Sequence, residues 1–146
     1  MSDATLKMDL LSNLIMVDIS LWNKNKKAYN KLYITLDTGA SVSTISTDIL
    51  YRAGYDVASG AVKRIATASG LEYVKELYVD KIMLDNCEVK DVLVYAHTFP
   101  QESFSSGVLG LNVLSLFDVN ILFSNGLVEL TKRTNVGYAH KPIGTA

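Results

Sequence analysis

The chain is poor in the residues that most often carry chemistry. Its 146 residues include one cysteine, two histidines, two prolines and one tryptophan. A single Cys87 excludes an internal disulfide and any Cys-x-x-Cys metal knuckle. His97 and His140 are isolated from it in sequence, so nothing has the spacing of a zinc site, and no metal or other cofactor is expected. Charge is balanced at a formal −1, which leaves no electrostatic footprint for nucleic acid. Lys24, Lys26 and Lys27 read more simply as a solvated turn. No apolar run approaches a membrane span, and the opening MSDATLKMDLLSNLIMVDISLW lacks the basic start and continuous apolar core of a secretion signal. The expectation is a soluble, cytoplasmic protein with neither a nucleic-acid nor a membrane partner.

Common catalytic patterns are missing as well. Ser41 and Ser43 have no nearby cue for a general base, and Gly-x-Ser-x-Gly does not occur. Gly107 and Gly110 are followed by Leu-Asn rather than Lys-Ser/Thr, so they make no phosphate loop. Cys87 reads as a buried or idle thiol, and His97 as an exposed or capping residue in a polar loop.

What is present suits one globular domain: 49% of residues are hydrophobic and 20% charged. Residues 1–13 read as an N-terminal extension, 14–132 as the domain and 133–146 as a tail, disordered or tied to a partner. Leu14 to Trp22 and Ala28 to Leu36 read as a hairpin around Asn-Lys-Asn-Lys-Lys. Val42 to Ile45 is a short β-branched strand. Thr47-Asp48 offers a helix N-cap, with Gly54 as the stop. Val62 to Thr67 and Leu71 to Leu84 are strands joined through Ala68-Ser69-Gly70. This is an ordinary hairpin or an arm able to open and close. Glu88 to Ala96 is a strand, and Leu111 to Phe117 a short helix. Asp118 to Phe123 and Leu127 to Lys132 form a last hairpin around Ser124-Asn125-Gly126. The fold class is all-β, with one or two short helices.

One stretch stands apart. In Leu32-Tyr33-Ile34-Thr35-Leu36-Asp37-Thr38-Gly39-Ala40-Ser41, an apolar strand delivers a carboxylate into a Thr-Gly turn. Asp is depleted in strands and seldom buried unpaired, so Asp37 is expected in a dry or half-dry site. The tripeptide alone reads more simply as a solvated turn. A looser echo adds weight. Strand, glycine-containing turn and short helix follow one another around Leu36 to Ala53 and again around Val92 to Phe117. The second copy has Leu109-Gly110 where the first has Asp37-Thr38-Gly39. Two half-units folded around one site are expected, only one of them bearing a carboxylate.

A lone carboxylate has a recognised use if it meets a second. Two that share one proton can activate water, because mutual repulsion keeps one protonated as acid while the other acts as base. No other Asp of the chain sits in such a turn, since Asp56, Asp85 and Asp118 are followed by Val, Asn and Val. The second would have to be Asp37 of another copy, brought to a two-fold axis.

Leu36-Asp37-Thr38-Gly39-Ala40-Ser41, followed some seventy residues later by Val108-Leu109-Gly110 and a short helix, resembles the retropepsin-type aspartic proteases of the cellular and bacterial branch. The order of elements agrees from about Leu14 to Lys132. The resemblance implies a closed-barrel-like acid-protease fold and a homodimeric aspartic endopeptidase acting on extended peptide or protein substrates. Asp37 would be the catalytic aspartate, Thr38 would bond across the dimer axis, and Gly39 would let the backbone approach the dyad. Ala66, Thr67, Ala68, Ser69 and Gly70 would form a flap tip closing on substrate. Val108 and Leu109 would support the active-site turn and border the cleft, with Ala40 among the substrate-facing positions. Substrate would bind by strand addition.

Departures from the family are visible. The flap has few glycines, and the segments before Leu14 and after Lys132 are longer than in retroviral members. Ala40 lacks the hydroxyl that pepsin-like relatives can aim at the carboxylate, so the dyad is expected to titrate higher and work at mildly acidic to neutral pH. Two other readings stay open: a retropepsin-like domain that serves peptide binding or dimerisation with weak or no hydrolysis, and an unrelated all-β binding domain.

Overall fold

Period-two patterning accounts for most of the strands. In β2 (Met16–Asn23), Val17, Ile19 and Leu21 point inward, while Asp18 is exposed. In β3 (Ala28–Leu36), Leu32, Ile34 and Leu36 do the same. Burying each such side chain contributes about 1.5–3 kcal/mol. The computed structural model describes residues 2–100 and 103–134. His140 and most of the expected tail lie outside the described residues.

Along the chain the elements are β1 (Ala4–Lys7), β2, β3, β4 (Ser43–Ser46), α1 (Thr47–Arg52), β5 (Ala61–Thr67), β6 (Gly70–Leu84), β7 (Cys87–His97), β8 (Gly107–Leu109), α2 (Leu111–Leu114), β9 (Phe117–Leu122) and β10 (Leu127–Lys132). Six strands close into a barrel in the order β2-β3-β8-β4-β7-β6. The last returns to the first through Ser20↔Met83 and Leu21↔Ile82. Closure removes edges that would otherwise invite other chains. The first half of β6 leaves the barrel and pairs with β5, making an arm that is exposed almost throughout.

A second sheet, β1-β10-β9, covers the barrel with its own apolar face. Ala4, Leu6, Phe117, Val128 and Leu130 are all buried in the common core. Cys87 is buried in that core too.

The two half-units are recognisable and exchange partners. The long strand β3 of the first lies parallel to the short β8 of the second, with Thr35↔Val108 and Leu36↔Leu109. The long β7 of the second lies parallel to the short β4 of the first. Each half therefore completes the other's sheet.

Several expectations shift at their edges. Residues 4–7, inside the expected extension, form β1 and pair with β10. The helix near residue 111 stops at Leu114, and Phe117 turns inward as the first residue of β9. Ser46 rather than Thr47 occupies the N-cap of α1, and it makes no side-chain cap bond. In the arm, Thr67 pairs with Gly70, so the tip is the two residues Ala68-Ser69. Among the described residues no helix is long and apolar enough to cross a membrane.

Candidate active site

The Asp37 turn sits where β3 ends, and its position is fixed by backbone bonds to the second half-unit. The Asp37 N–H donates to Leu109 O at 3.0 Å. The Leu111 N–H donates to Ala40 O at 2.7 Å, and that of Asn112 to Ser41 O at 3.1 Å. On its other side, the Leu36 N–H donates to Ile15 O at 2.8 Å. Two separate stretches of chain, around Ile15 and from Leu109 to Asn112, thus hold the turn without using any side chain of the Asp-Thr-Gly triplet.

Inside the triplet, the Gly39 N–H donates to Asp37 Oδ1 at 2.8 Å. This bond orients the carboxylate. A Cβ on Gly39 would lie 3.1 Å from that same oxygen. Glycine keeps the carboxylate approachable. At Gly110 the need is stricter, because a Cβ would meet Ala40 O at 2.8 Å and Val42 backbone at 3.0 Å. The close approach of β8 to the turn depends on a bare α-carbon.

Beneath the turn lies a buried polar network that the sequence reading misses. Ser43 and Asn112 are 3% and 1% exposed, two of the few polar residues buried among the described ones. Asn112 Oδ1 accepts from the Ser43 N–H at 2.9 Å and from the Ser43 hydroxyl at 2.8 Å. The same hydroxyl accepts from the Gly110 N–H at 2.9 Å, and Asn112 Nδ2 donates to Leu93 O at 2.8 Å. Three elements, β4, β7 and α2 with its N-cap Gly110, meet in these bonds. The only sequence cue is a polar residue inside Leu-Gly-Leu-Asn-Val-Leu, where helix patterning favours an apolar one.

Asp37 itself departs from expectation. Asp37, Thr38 and Gly39 are exposed in the single chain, and Ala40 is partly so. Leu32, Ile34 and Leu36 of the strand that leads to Asp37 are buried, but the turn itself is exposed, and nothing among the described residues covers it. Val108 is half-buried and Leu109 buried, and Leu109 O is the acceptor of the Asp37 N–H. Ala66, Thr67, Ala68, Ser69 and Gly70 all lie at the exposed end of the β5–β6 arm. The Thr67 hydroxyl donates to Gly70 O at 3.0 Å and accepts from the Ser69 N–H at 3.2 Å, so the tip is braced by its own side chain.

A hollow of about 720 Å³ opens next to the strand that carries Asp37. Leu11, Leu14, Met16, Tyr33 and Phe104 give it apolar walls, with Asp9 at its margin. Thr35, two residues before Asp37, reaches this wall: its hydroxyl bonds Ser105 Oγ at 3.0 Å and Met16 Sδ at 3.1 Å. Leu11 and Phe104 are 97% and 89% exposed, so their apolar surface stands open on the rim of this hollow. Neither was anticipated. The Tyr33 hydroxyl donates to Asp9 Oδ2 at 2.5 Å, a bond that lowers the Asp9 pKa and raises that of Tyr33. A larger hollow of about 1040 Å³ beside α1 contains none of the expected site residues.

His97 is half-buried at the end of β7, 3.9 Å from Glu72 and edge-on to Phe99, with Ser46 of β4 opposite it in the sheet. Among the described residues no group of three or more His, Cys, Asp or Glu side chains is placed to hold a metal ion.

Residues 27–116 match a family described as "gag-polyprotein putative aspartyl protease", a span from the first hairpin through α2. A retropepsin-like aspartic protease from Rickettsia conorii has a similar structure, with TM-score 0.64 at 17% identity. The similarity covers 86% of this chain and 87% of that one. At such identity the likeness speaks for the fold. No curated protein matches the sequence.

Proposed function

The chain belongs to the retropepsin-like aspartyl protease family, and from that membership we propose that it is an aspartic endopeptidase whose active site forms between two copies. The observation that carries this reading is the Asp37-Thr38-Gly39 turn. One carboxylate, oriented by the Gly39 N–H and held by two separate stretches of chain, stands exposed with no second carboxylate in its own turn. Two such turns facing across a two-fold axis supply a dyad in which each chain gives one member.

The chemistry then follows from shared protonation. Two close carboxylates hold one proton between them and titrate as a pair. The ionised member takes a proton from water as its oxygen attacks the scissile carbonyl carbon. The protonated member gives its proton to the carbonyl oxygen, so a neutral tetrahedral diol forms. The dyad then gives its proton to the amide nitrogen while its ionised member takes one from a diol hydroxyl, so the carbonyl re-forms as the C–N bond breaks, an acid and an amine leave, and the dyad holds one proton as at the start. Thr38 braces the paired turns. The arm tipped by Ala68-Ser69 closes over the substrate, whose backbone adds as a strand. Val108 and Leu109 form the floor and Ala40 the near wall. The apolar hollow bounded by Leu11, Leu14 and Phe104 takes a substrate side chain beside the scissile bond.

The test is hydrolysis of a peptide library by the wild-type chain and by Asp37→Asn. The expected result is cleavage by the former and none by the latter, with an unchanged sedimentation coefficient. Cleavage that survives Asp37→Asn would end the dyad reading. A dimer that binds peptides without cleaving them would favour a binding module on the same fold.

A further inference from the structure

The β5–β6 arm is joined to the barrel at its base. The β6–β7 ladder ends at Lys75↔Ala96, while β6 goes on pairing with β5 from Lys63↔Val74 to Thr67↔Gly70. Among the described residues β5 has no other partner strand. Lys75 Nζ ties the base to the loop before β5, donating to Ala58 O at 3.3 Å and to Gly60 O at 3.4 Å. Beyond that point, one polar side-chain link crosses from arm to barrel among the described residues. Glu72 Oε2 lies 3.9 Å from His97 Nδ1. The arm's other ion pair, Lys63 with Glu76 at 3.8 Å, runs between its own two strands.

Register explains why these two side chains meet. Tyr95 lies opposite Glu76, so by alternation His97 shares a face with Glu76, Val74 and Glu72. The same outer face continues from Tyr95 through Thr44 and Val108 to Thr35, two residues before Asp37. Phe99 packs edge-on to the imidazole, with ring centroids 5.1 Å apart. Glu72 is the charged group within ion-pair distance of that ring. Lys63 and Glu76, on the same face, hold one another, and β4 brings the uncharged Ser46 opposite His97. Tyr73, Lys75 and Thr47 line the hollow of about 410 Å³ beside His97, with the Lys75 ammonium engaged by Ala58 O and Gly60 O.

We propose that His97 is a positioning residue for the arm: protonated, it clasps Glu72 and holds the arm down on the barrel, and it lets go as pH rises. The clasp rests on the reading of the arm as the element that closes over substrate, and adds a control to it. Histidine is the side chain whose charge changes between about pH 5 and 8. The contact is long, and the two side chains are 34% and 38% exposed, so a neutral imidazole has little hold on the carboxylate. Protonation turns the contact into an ion pair. The clasp is therefore complete at the acidic end of the range and is lost toward the alkaline end. An exposed pair of this kind shifts an equilibrium by about two- to fivefold. Substrate held under a closed arm binds in proportion to the fraction of chains whose arm is closed. The clasp thus acts on KM, while the dyad keeps its own titration.

Two measurements test this in the full-length chain, at about pH 5.5 and about pH 7.5, toward either end of the histidine range. One is hydrogen exchange of the amides of residues 61–74, corrected for the intrinsic effect of pH; the other is KM for peptide hydrolysis. Wild type is compared with Glu72→Gln, His97→Gln and His97→Lys. At the lower pH, arm amides are expected to exchange about two- to fivefold faster in Glu72→Gln and His97→Gln than in wild type. KM is expected to rise by the same factor, with kcat moving less. At the higher pH these three chains should agree. His97→Lys carries a lasting positive charge and is expected to keep the low-pH values of wild type at both. Arm exchange that is equal in wild type and Glu72→Gln at the lower pH overturns the clasp and leaves the two-chain protease standing. A difference between them that is the same at both pH values marks a merely structural contact and also overturns it. Exchange that responds as expected, in a wild type that cleaves no peptide, upholds the clasp and overturns the protease reading instead.

Discussion

Gly39 donates its backbone N–H to Asp37 Oδ1 at 2.8 Å, and a Cβ on Gly39 would stand 3.1 Å from the same oxygen. One residue thus both orients the carboxylate and leaves room beside it. Gly39→Ala is expected to push the carboxylate aside by a few tenths of an ångström. Displacement at a reacting centre is costly, and a shift of about 1 Å costs on the order of a hundredfold. A fall in kcat of about 10- to 100-fold is expected. The unfolding midpoint should barely change, because the turn is exposed and its backbone bonds are untouched. Unchanged kcat would mean that Asp37 is not held for catalysis by this bond.

Ala40 follows directly, and its methyl can neither donate nor accept. In Ala40→Ser, a hydroxyl within reach of the dyad would donate to the charged form and favour it. The acidic limb of the pH–rate profile is expected to move downward, with the alkaline limb shifted less. A wild-type profile that peaks only in strong acid would contradict the proposed role of Ala40. So would an Ala40→Ser profile that superimposes on the wild type.

Asn112 tests the support beneath the turn. Asn112→Ala would leave the Ser43 N–H, the Ser43 hydroxyl and Leu93 O without their partner in a dry core. Each unsatisfied buried group costs about 1–3 kcal/mol, less what relaxation recovers. A loss of about 3 kcal/mol by urea denaturation is expected, with a larger loss of kcat than of substrate affinity. Ser43→Ala should cost less, since it removes one hydroxyl shared between Asn112 and the Gly110 N–H. Equal and small effects from both would show that the network is not under load.

The strands most legible in the sequence are those whose pairing is local. β3 and β10 occupy the predicted residues because each belongs to a hairpin with a strong turn and clean alternation. β1 was invisible for the opposite reason. Four residues carry little periodicity, and their partner, β10, begins 120 residues after Lys7. The Asp37 turn could be recognised because its residue types are rare at the end of a buried strand. Ser43 and Asn112 could not, since a lone Ser and a lone Asn acquire meaning only once folding brings them within 2.8 Å. Leu11 and Phe104 likewise look like ordinary loop residues until the hollow between them exists.

Asp9 and Tyr33 give the last prediction, which concerns pH. The Tyr33 hydroxyl bond holds Asp9 below its ordinary value of 3.8 and raises Tyr33 above 10.0. For Asp9, a lowered folded-state pKa means that the bond stabilises the fold above the unfolded value. That contribution is lost as pH falls through the folded one. For Tyr33, a raised pKa means the contribution is complete below 10.0 and lost as pH rises past the folded value. Wild type should therefore melt above Tyr33→Phe by a constant margin across the interval between 3.8 and 10.0, and the margin should shrink beyond either end. Both groups are exposed, so the margin is small, within what surface interactions give. Because Asp9 borders the hollow beside Thr35, the same variant should raise KM for peptides with a large apolar side chain while leaving kcat near the wild-type value. A margin that is flat into strong acid would show that the bond does not form in solution.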